Sequence, residues 1–484
     1  MTTTPTLTAV TAAVEQLPKP PLRDSEEIQG NVLAAFNKDH LTYLHVRFPD
    51  AKRGRAWIAG MLTCISVTKE VEDFNEQFSV ARKAFDMDPG FSATWVGMSL
   101  TYPGLKLVAA EPDQIDSDLA PFASLRQGSD GRAQAMGDTG DSAPGNWLFG
   151  APSAPVHAIA LIASDSLDRM REWAERLKIL GQANDVTLVY EDLGQTLPGA
   201  LRGHEHFGYK DGISQPGVRD FHLEDPNRPG FRLGHPGTEL IAAGEFVFGH
   251  PAEPGSNGRQ APQWMHNGSL HVVRRLQQDV GKWNRAVVDS AKNMTPPIED
   301  PNLMGACLVG RFKSGEPLAR PNDETRGLGK DHNDFDYTND PMGKDTPCAS
   351  HIRKTHPRSF VGKSNRLMRR GIPYGPVFSD ATETADRGLI FACYGTSLEE
   401  QFELIQQHWS NSETFVGGDP QAPTGVDAVI SPGGKINLAI EHQGASNKGT
   451  LTMARFVKTT GALYGLTLSM SALKLIAAGK PLPR

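Results

Sequence analysis

Short runs in which apolar and polar side chains alternate recur along the whole chain, separated by stretches with helical spacing. This interleaving limits the fold more than any other feature, because a period of two buries one face of a strand and a period of 3.6 one face of a helix. Tyr43 to Phe48 (YLHVRF), His157 to Ser164, VTLVYEDL, GEFVFG, SLHVVRRL, ACLVGRF, GLIFACYG and LTMARFV read as strands. Lys52–Leu62, Glu70–Phe85, Ser166–Leu180, Asp279–Asn293 and Leu398–His408 read as amphipathic helices. The mixture predicts an α+β fold with antiparallel sheets and helices packed on their faces. Gln127 to Pro155 reads as a Gly/Pro/Asp-rich loop, and the irregular stretch Glu224–Gly237 divides the 484 residues roughly in half, as two domains would.

Several functions are excluded early. With 49 basic and 56 acidic residues the net charge is −7, so the chain lacks the basic field that nucleic acid requires. Cys64, Cys307, Cys348 and Cys393 are far apart and form no CxxC pair, which argues against a zinc ribbon or a disulfide framework. The Thr/Pro-rich start has neither a basic n-region nor an apolar h-region, so a cytoplasmic protein is expected. Leu463–Ala478 reads as a strand followed by a helix, too short and too polar for a membrane span.

Most general motifs fail. There is no Walker A sequence, no GxGxxG after a strand and no HExxH. Ser214 in GISQP lacks the closing glycine of a nucleophile elbow. The run DHNDFDYTND at 331–340 has Asp336 where a calcium loop needs glycine. His204-x-His206 has metal-compatible spacing but no evident third ligand.

Three segments are harder to explain as packing: HFGYKDGISQP at 206–216, CASHIRKTHP at 348–357 and LMRRGIPYGP at 367–376. Each alone reads as a turn, a basic loop or a helix end. Together, with EIQGNVL near the start, GDTG…NW, GEFVFGHP, NGSLHVVRRL, VGRFKSGEPL and RGLIFACYGTSLEEQFELIQQHW, they resemble dye-decolorizing peroxidases, haem enzymes that share a fold with chlorite dismutases. The resemblance runs from about Glu26 to the C-terminal helix and is strongest to the long bacterial and fungal variants.

The resemblance implies two ferredoxin-like domains, expected at 25–225 and 226–484 after a flexible tail at 1–24, with haem b held mainly by the second. It implies that His351 is the axial ligand to iron, its other nitrogen donating to a carboxylate, with Asp427 the first candidate and Glu399 the second. Asp211 would relay a proton between the two oxygens of hydrogen peroxide, and Arg369 would stabilise charge on the departing oxygen. Leu389 and Phe391 would wall the pocket, and Arg353 would meet a haem propionate. Ser350 stands where the family usually has alanine, a small-for-small exchange. The implied reaction reduces peroxide through an oxo-ferryl intermediate and oxidises phenols or anthraquinone-like dyes in one-electron steps, with Trp264, Tyr337 and Trp409 as candidate electron relays. The resemblance admits a homodimer. The alternative is a haem carrier or iron-releasing protein on the same fold.

Overall fold

A computed structural model describes residues 19–85, 91–256, 260–320, 332–416, 423–442 and 444–484. Its centre is a nine-stranded sheet: β1 (His40–Arg47), β2 (Thr94–Thr101), β3 (Ala158–Ser164), β4 (Thr187–Gln195), β5 (Ser269–Gln278), β6 (Met368–Arg369), β7 (Ile372–Tyr374), β8 (Gly388–Gly395) and β9 (Val457–Thr467). Along the sheet the order is β6, β8, β5, β9, β2, β3, β1, β4, with β7 also on β8. Within the first half the order is fourth, first, third, second, the arrangement of a ferredoxin-like βαββαβ unit. Reading β5 as a new first strand, the second half repeats it.

The two halves meet at Gly465 opposite Thr101 and Leu466 opposite Leu100. At the far ends the sheet curls until β4 and β7 touch, and a side chain at Gly194 would stand 2.4 Å from Ile372 Cγ2. The result is a barrel-like α+β structure. Alternation along β3 shows why it needs two cores. Ile159, Leu161 and Ala163 join the core that also holds Tyr43, Val273 and Tyr394, while Ala158, Ala160 and Ile162 pack with the helices outside. Across the interior, Arg275 on β5 donates to Asp192 on β4 at 2.9 Å, a pair only 5% and 2% exposed that ties one half to the other.

Helices Ala51–Met61 and Leu167–Ala183 begin where Asp50 and Ser166 cap a free backbone N–H. A third core joins helices Val280–Lys292 and Pro301–Val309 to the hairpin Gly434–His442/Ala445–Met453.

Four expectations need correction. ACLVGRF is not a strand: Ala306–Val309 end a helix capped by Asp300, opened by Pro301 and stopped by Gly310 at φ +97°. An apolar run this short does not separate a buried helix from a strand, and the end signals decide it. GEFVFG holds a 3-10 turn at Ala243–Glu245 rather than a strand. LTMARFV is two strand ends with a break, Met453 closing the hairpin and Val457 opening β9. The stretch from Gln127 is helical as far as Met136, within Ala123–Met136. Of the expected N-terminal tail, residues 1–18 lie outside the described residues, whereas Pro21–Asp24 form a 3-10 turn that buries Leu22. Among the described residues, no helix is long and apolar enough to cross a membrane.

Candidate functional site

The outward-facing residues of β5 and β8 form a wall. Arg274, Leu276 and Gln278 alternate with the interior residues of β5, and Leu389 and Phe391 do the same on β8. They line a cavity of about 250 Å³ that Asp211, Arg369 and His351 also face.

Asp211 is held by a tight loop. Glu205 accepts from the backbone N–H of Phe207 (2.8 Å) and Tyr209 (2.9 Å) and from Gln278 Nε2. Phe207 and Tyr209 pack on Trp283, stacked at 4.8 Å and edge-on at 6.2 Å, so the aromatic letters of FGY anchor the loop in the third core. Gly208 (φ +90°) and Gly212 (φ +81°) take left-handed turns on either side of the acid, where other residues would be strained. Asp211 Oδ1 accepts from the Gly212 N–H at 2.6 Å and from Arg369 Nη1 at 2.8 Å. Burial by itself would raise the Asp211 pKa, but the Arg369 charge, the hydrogen bonds from Gly212 and Arg369, and the charge of His351 outweigh it and hold the carboxyl below its usual range.

Gln215 clamps the neighbouring segment. Its Nε2 donates to Arg369 O at 2.9 Å and its Oε1 accepts from Arg369 N at 3.3 Å. Thus GISQP positions the arginine, and among the described residues the Ser214 Oγ has no hydrogen-bond partner, such as the base a nucleophile needs. The adjacent Arg370 donates to the carbonyls of Asn31, Val32 and Leu33, joining the EIQGNVL segment to this wall.

A second pair reaches the same cavity through His351. His351 opens the helix His351–Thr355, and its Nδ1 lies 2.7 Å from Asp427 Oδ2. Asp427 is fully buried, and its Oδ1 accepts from the N–H groups of Val429 (2.7 Å) and Ile430 (3.1 Å). Burial lowers the His351 pKa, but the charge and hydrogen bond of Asp427 more than reverse this and leave the imidazole more basic than usual. With Nδ1 engaged, Nε2 remains for a ligand. Glu399 is occupied elsewhere, accepting from the Ser124 N–H. Ser350 turns its hydroxyl to Pro347 O at 2.7 Å, away from His351.

Arg353 stands apart from these residues. It is absent from the cavity wall, and its fully buried guanidinium donates to Asp340 Oδ2, Asp340 O and Thr346 O and lies over the Tyr337 ring. Two residues beyond His351 on a helix, it points about 200° away. The cations that do line the cavity include Arg311, Arg358 and Arg366, none of which stands out in the sequence. Arg366 donates to His356 Nε2 at 2.6 Å, which places the imidazole hydrogen on Nδ1, and that atom is buried without a partner among the described residues. Burial, Arg358 and Arg369 lower the Arg366 pKa to about 9. A basic imidazole, unsatisfied donors at Ser214 and His356 and guanidinium groups pressed together fit a group carrying carboxylates and a metal that accepts nitrogen, as haem does.

The other expectations resolve differently. His204 bonds the carbonyls of Arg202 and Lys313, and His206 that of Tyr374, so the pair spends its ring nitrogens on backbone. In the polar run, of which Asp331 lies outside the described residues, Asp334 pairs with Arg228, Asp336 caps Thr338 N, and Asp340 meets Arg353. Among the described residues no group of three potential metal ligands occurs. Trp264 and Tyr337 are buried away from the cavity, whereas Trp409 lines it and stacks on Phe415 at 4.9 Å.

A family model described as Dyp-type peroxidase, C-terminal, matches residues 309–416. Peroxidase 2 of Mycetinis scorodonius is 30% identical over 427 residues, 84% of this chain and 76% of that protein. A multifunctional dye peroxidase of Amycolatopsis is 29% identical over 85% of this chain and 86% of its own length. Among solved structures, a dye-decolorizing peroxidase in complex with 2,6-dimethoxyphenol aligns at 26% identity with a TM-score of 0.75, covering 94% of this chain and 99% of that one. The likeness to deferrochelatase of Yersinia pestis spans only 31% of this chain.

Proposed function

Because the chain belongs to the dye-decolorizing peroxidase family and is a peroxidase, we propose that it binds haem b between its two hydrogen-bonded pairs and uses hydrogen peroxide to oxidise phenolic and dye-like aromatic donors. One observation carries the reading: Asp211, Arg369 and His351 face one cavity, with Asp427 bonded to His351 from behind its wall. The two-domain division at residues 225 and 226 belongs to the same reading, with Asp211 contributed by the first unit and the other three residues by the second.

His351 Nε2 would hold the iron, and Arg366, Arg358, His356 and Ser214 would receive the propionates. Haem, when bound, supplies the iron at which the peroxide O–O bond is split and the oxidising equivalents are stored. Asp211, ionised because Arg369 stabilises its charge, accepts the proton from the inner peroxide oxygen and returns it to the outer one, which leaves as water. Arg369 offsets the negative charge that grows on that departing oxygen. Leu389 and Phe391 present only hydrocarbon to the same space and keep bulk water from competing for the proton. Two donors then give up one electron each, which completes the reduction of peroxide to water. Trp409, on the cavity wall, is the candidate for passing electrons to a donor too large to enter.

The test is direct. Protein reconstituted with haem is mixed with peroxide and 2,6-dimethoxyphenol, and peroxide-dependent formation of coloured product is expected. Haem binding without turnover would overturn the reading in favour of a carrier.

Asp427 offers a separate check. Asparagine there keeps an oxygen for the Val429 and Ile430 N–H groups, which turns its NH₂ towards His351 Nδ1. Nδ1 must then accept, the hydrogen moves to Nε2, and the atom meant for iron loses its lone pair. Asp427→Asn is therefore expected to weaken haem binding by about 10–100-fold, measured by titrating haem into the apo-protein. Unchanged affinity would separate Asp427 from ligation.

A further inference from the structure

A second cavity, about 680 Å³, adjoins the first, and Asp211, Gly212, Arg369, Gly371 and Leu389 line both. At its other end the cavity is lined by Arg23, Arg232, Arg370 and His222. Carboxylates compensate this cluster poorly. Arg23 has Glu72 at 3.4 Å and donates to Phe221 O. Arg370 spends its donors on carbonyl oxygens alone. Among the described residues the Arg232 guanidinium makes no hydrogen bond and no ion pair, although it is half-buried.

The field at this spot is strongly positive. His222 is pushed down to about 2 by burial and by Arg232, Arg23, Arg370 and His235 around it, and its ring stays neutral with Nδ1 accepting from the Val218 N–H. Burial and Arg23 likewise lower Arg232 to about 10. A half-buried guanidinium without a partner among the described residues, beside two others, is more stable with an anion on it than without. Phe36 and Pro373 also line the cavity, which gives an aromatic ring apolar surface on the way to Asp211.

We propose that this second cavity docks aromatic donors that carry an anionic group, the carboxylate or sulfonate resting on Arg232 with Arg23 beside it, and the phenol end reaching the wall shared with Asp211 and Arg369. The inference rests on the peroxidase reading and narrows its donors to aryl carboxylates and sulfonates. Each phenol gives up one electron and its phenolic proton and leaves as a phenoxyl radical, so two donors balance one peroxide and two waters form. Arg232 takes no part in the electron transfer and acts as a specificity residue.

The experiment compares 4-hydroxy-3,5-dimethoxybenzoate with its methyl ester in the haem-loaded enzyme, in Arg232→Gln and in Arg232→Lys. In the glutamine variant the ratio of kcat/KM for the acid to that for the ester is expected to fall about tenfold, through KM, as loss of a charge-assisted contact implies. Lysine should restore most of it. Calorimetric binding of the carboxylate to the apo-protein provides the second readout and should weaken in the glutamine variant by a similar factor. An unchanged ratio, or equal loss for acid and ester, overturns the proposal. If neither compound is oxidised by the unaltered enzyme, the peroxidase reading fails, while calorimetry still decides whether the anion site exists.

Discussion

Asp211→Asn is expected to slow the reaction with hydrogen peroxide by about 10²–10⁴-fold, the range over which a positioned acid–base group accelerates a step. The substitution keeps the shape of the side chain and the oxygen that accepts from Gly212 N and Arg369 Nη1. What it removes is the lone pair able to take a proton from the inner peroxide oxygen and hand it on. Haem content should stay the same, since neither His351 nor the Arg366 cluster is touched. Stopped-flow measurement of the haem absorbance after mixing with peroxide decides it. A wild-type rate constant would show that the proton travels by another route.

Arg369→Leu should cost about 10²–10³-fold in the same rate, the usual loss when one donor aimed at developing charge is removed. A second effect separates it from a merely structural change. In the folded protein Asp211 has a lowered pKa because Arg369 outweighs its burial, so the carboxylate stays ionised as pH falls and protonates only below its ordinary range. Without Arg369, burial dominates and the pKa rises. The acid limb of the rate–pH profile should therefore move to higher pH, with the activity lost earlier as acid is added. A limb that stays in place, or moves towards lower pH, would mean that Asp211 is not the titrating group.

The strands that alternate strictly were legible in the sequence, because their period shows whatever they pair with. The duplication was expected only through the resemblance: β1–β4 and β5–β9 share an order of strands without sharing a visible repeat, since pairing is set by distant residues. ACLVGRF reads as a strand because a fully buried helix leaves no polar face to reveal its period. The identities in the candidate site, Asp427 as first candidate for the partner of His351 among them, came from resemblance, while the contact of Asp211 with Arg369 came only with the structure. Arg353 shows the difference. As a cation two residues from the proposed ligand it looked suited to a propionate, yet the helix turns it into a buried network with Asp340, and Arg358 and Arg366 take the cavity instead. Gln215 was invisible as a positioning residue because a side chain that bonds backbone across 154 residues has no sequence signature.

The separation along the chain of the groups that meet at the cavity fixes when it can exist. Asp211 and Arg369 are 158 residues apart, His351 and Asp427 are 76 apart, and Arg370 reaches back 339 residues to Asn31. At a synthesis rate of about 5–20 residues per second, the acid leaves the ribosome roughly 8–30 s before its arginine. During that interval its partner does not exist, and the strand that supports Arg369 has yet to be made. A nascent chain therefore lacks the Asp211–Arg369 contact until residue 369 has emerged. The last of these groups to be made is Asp427, so the cavity assembles only after that residue has emerged.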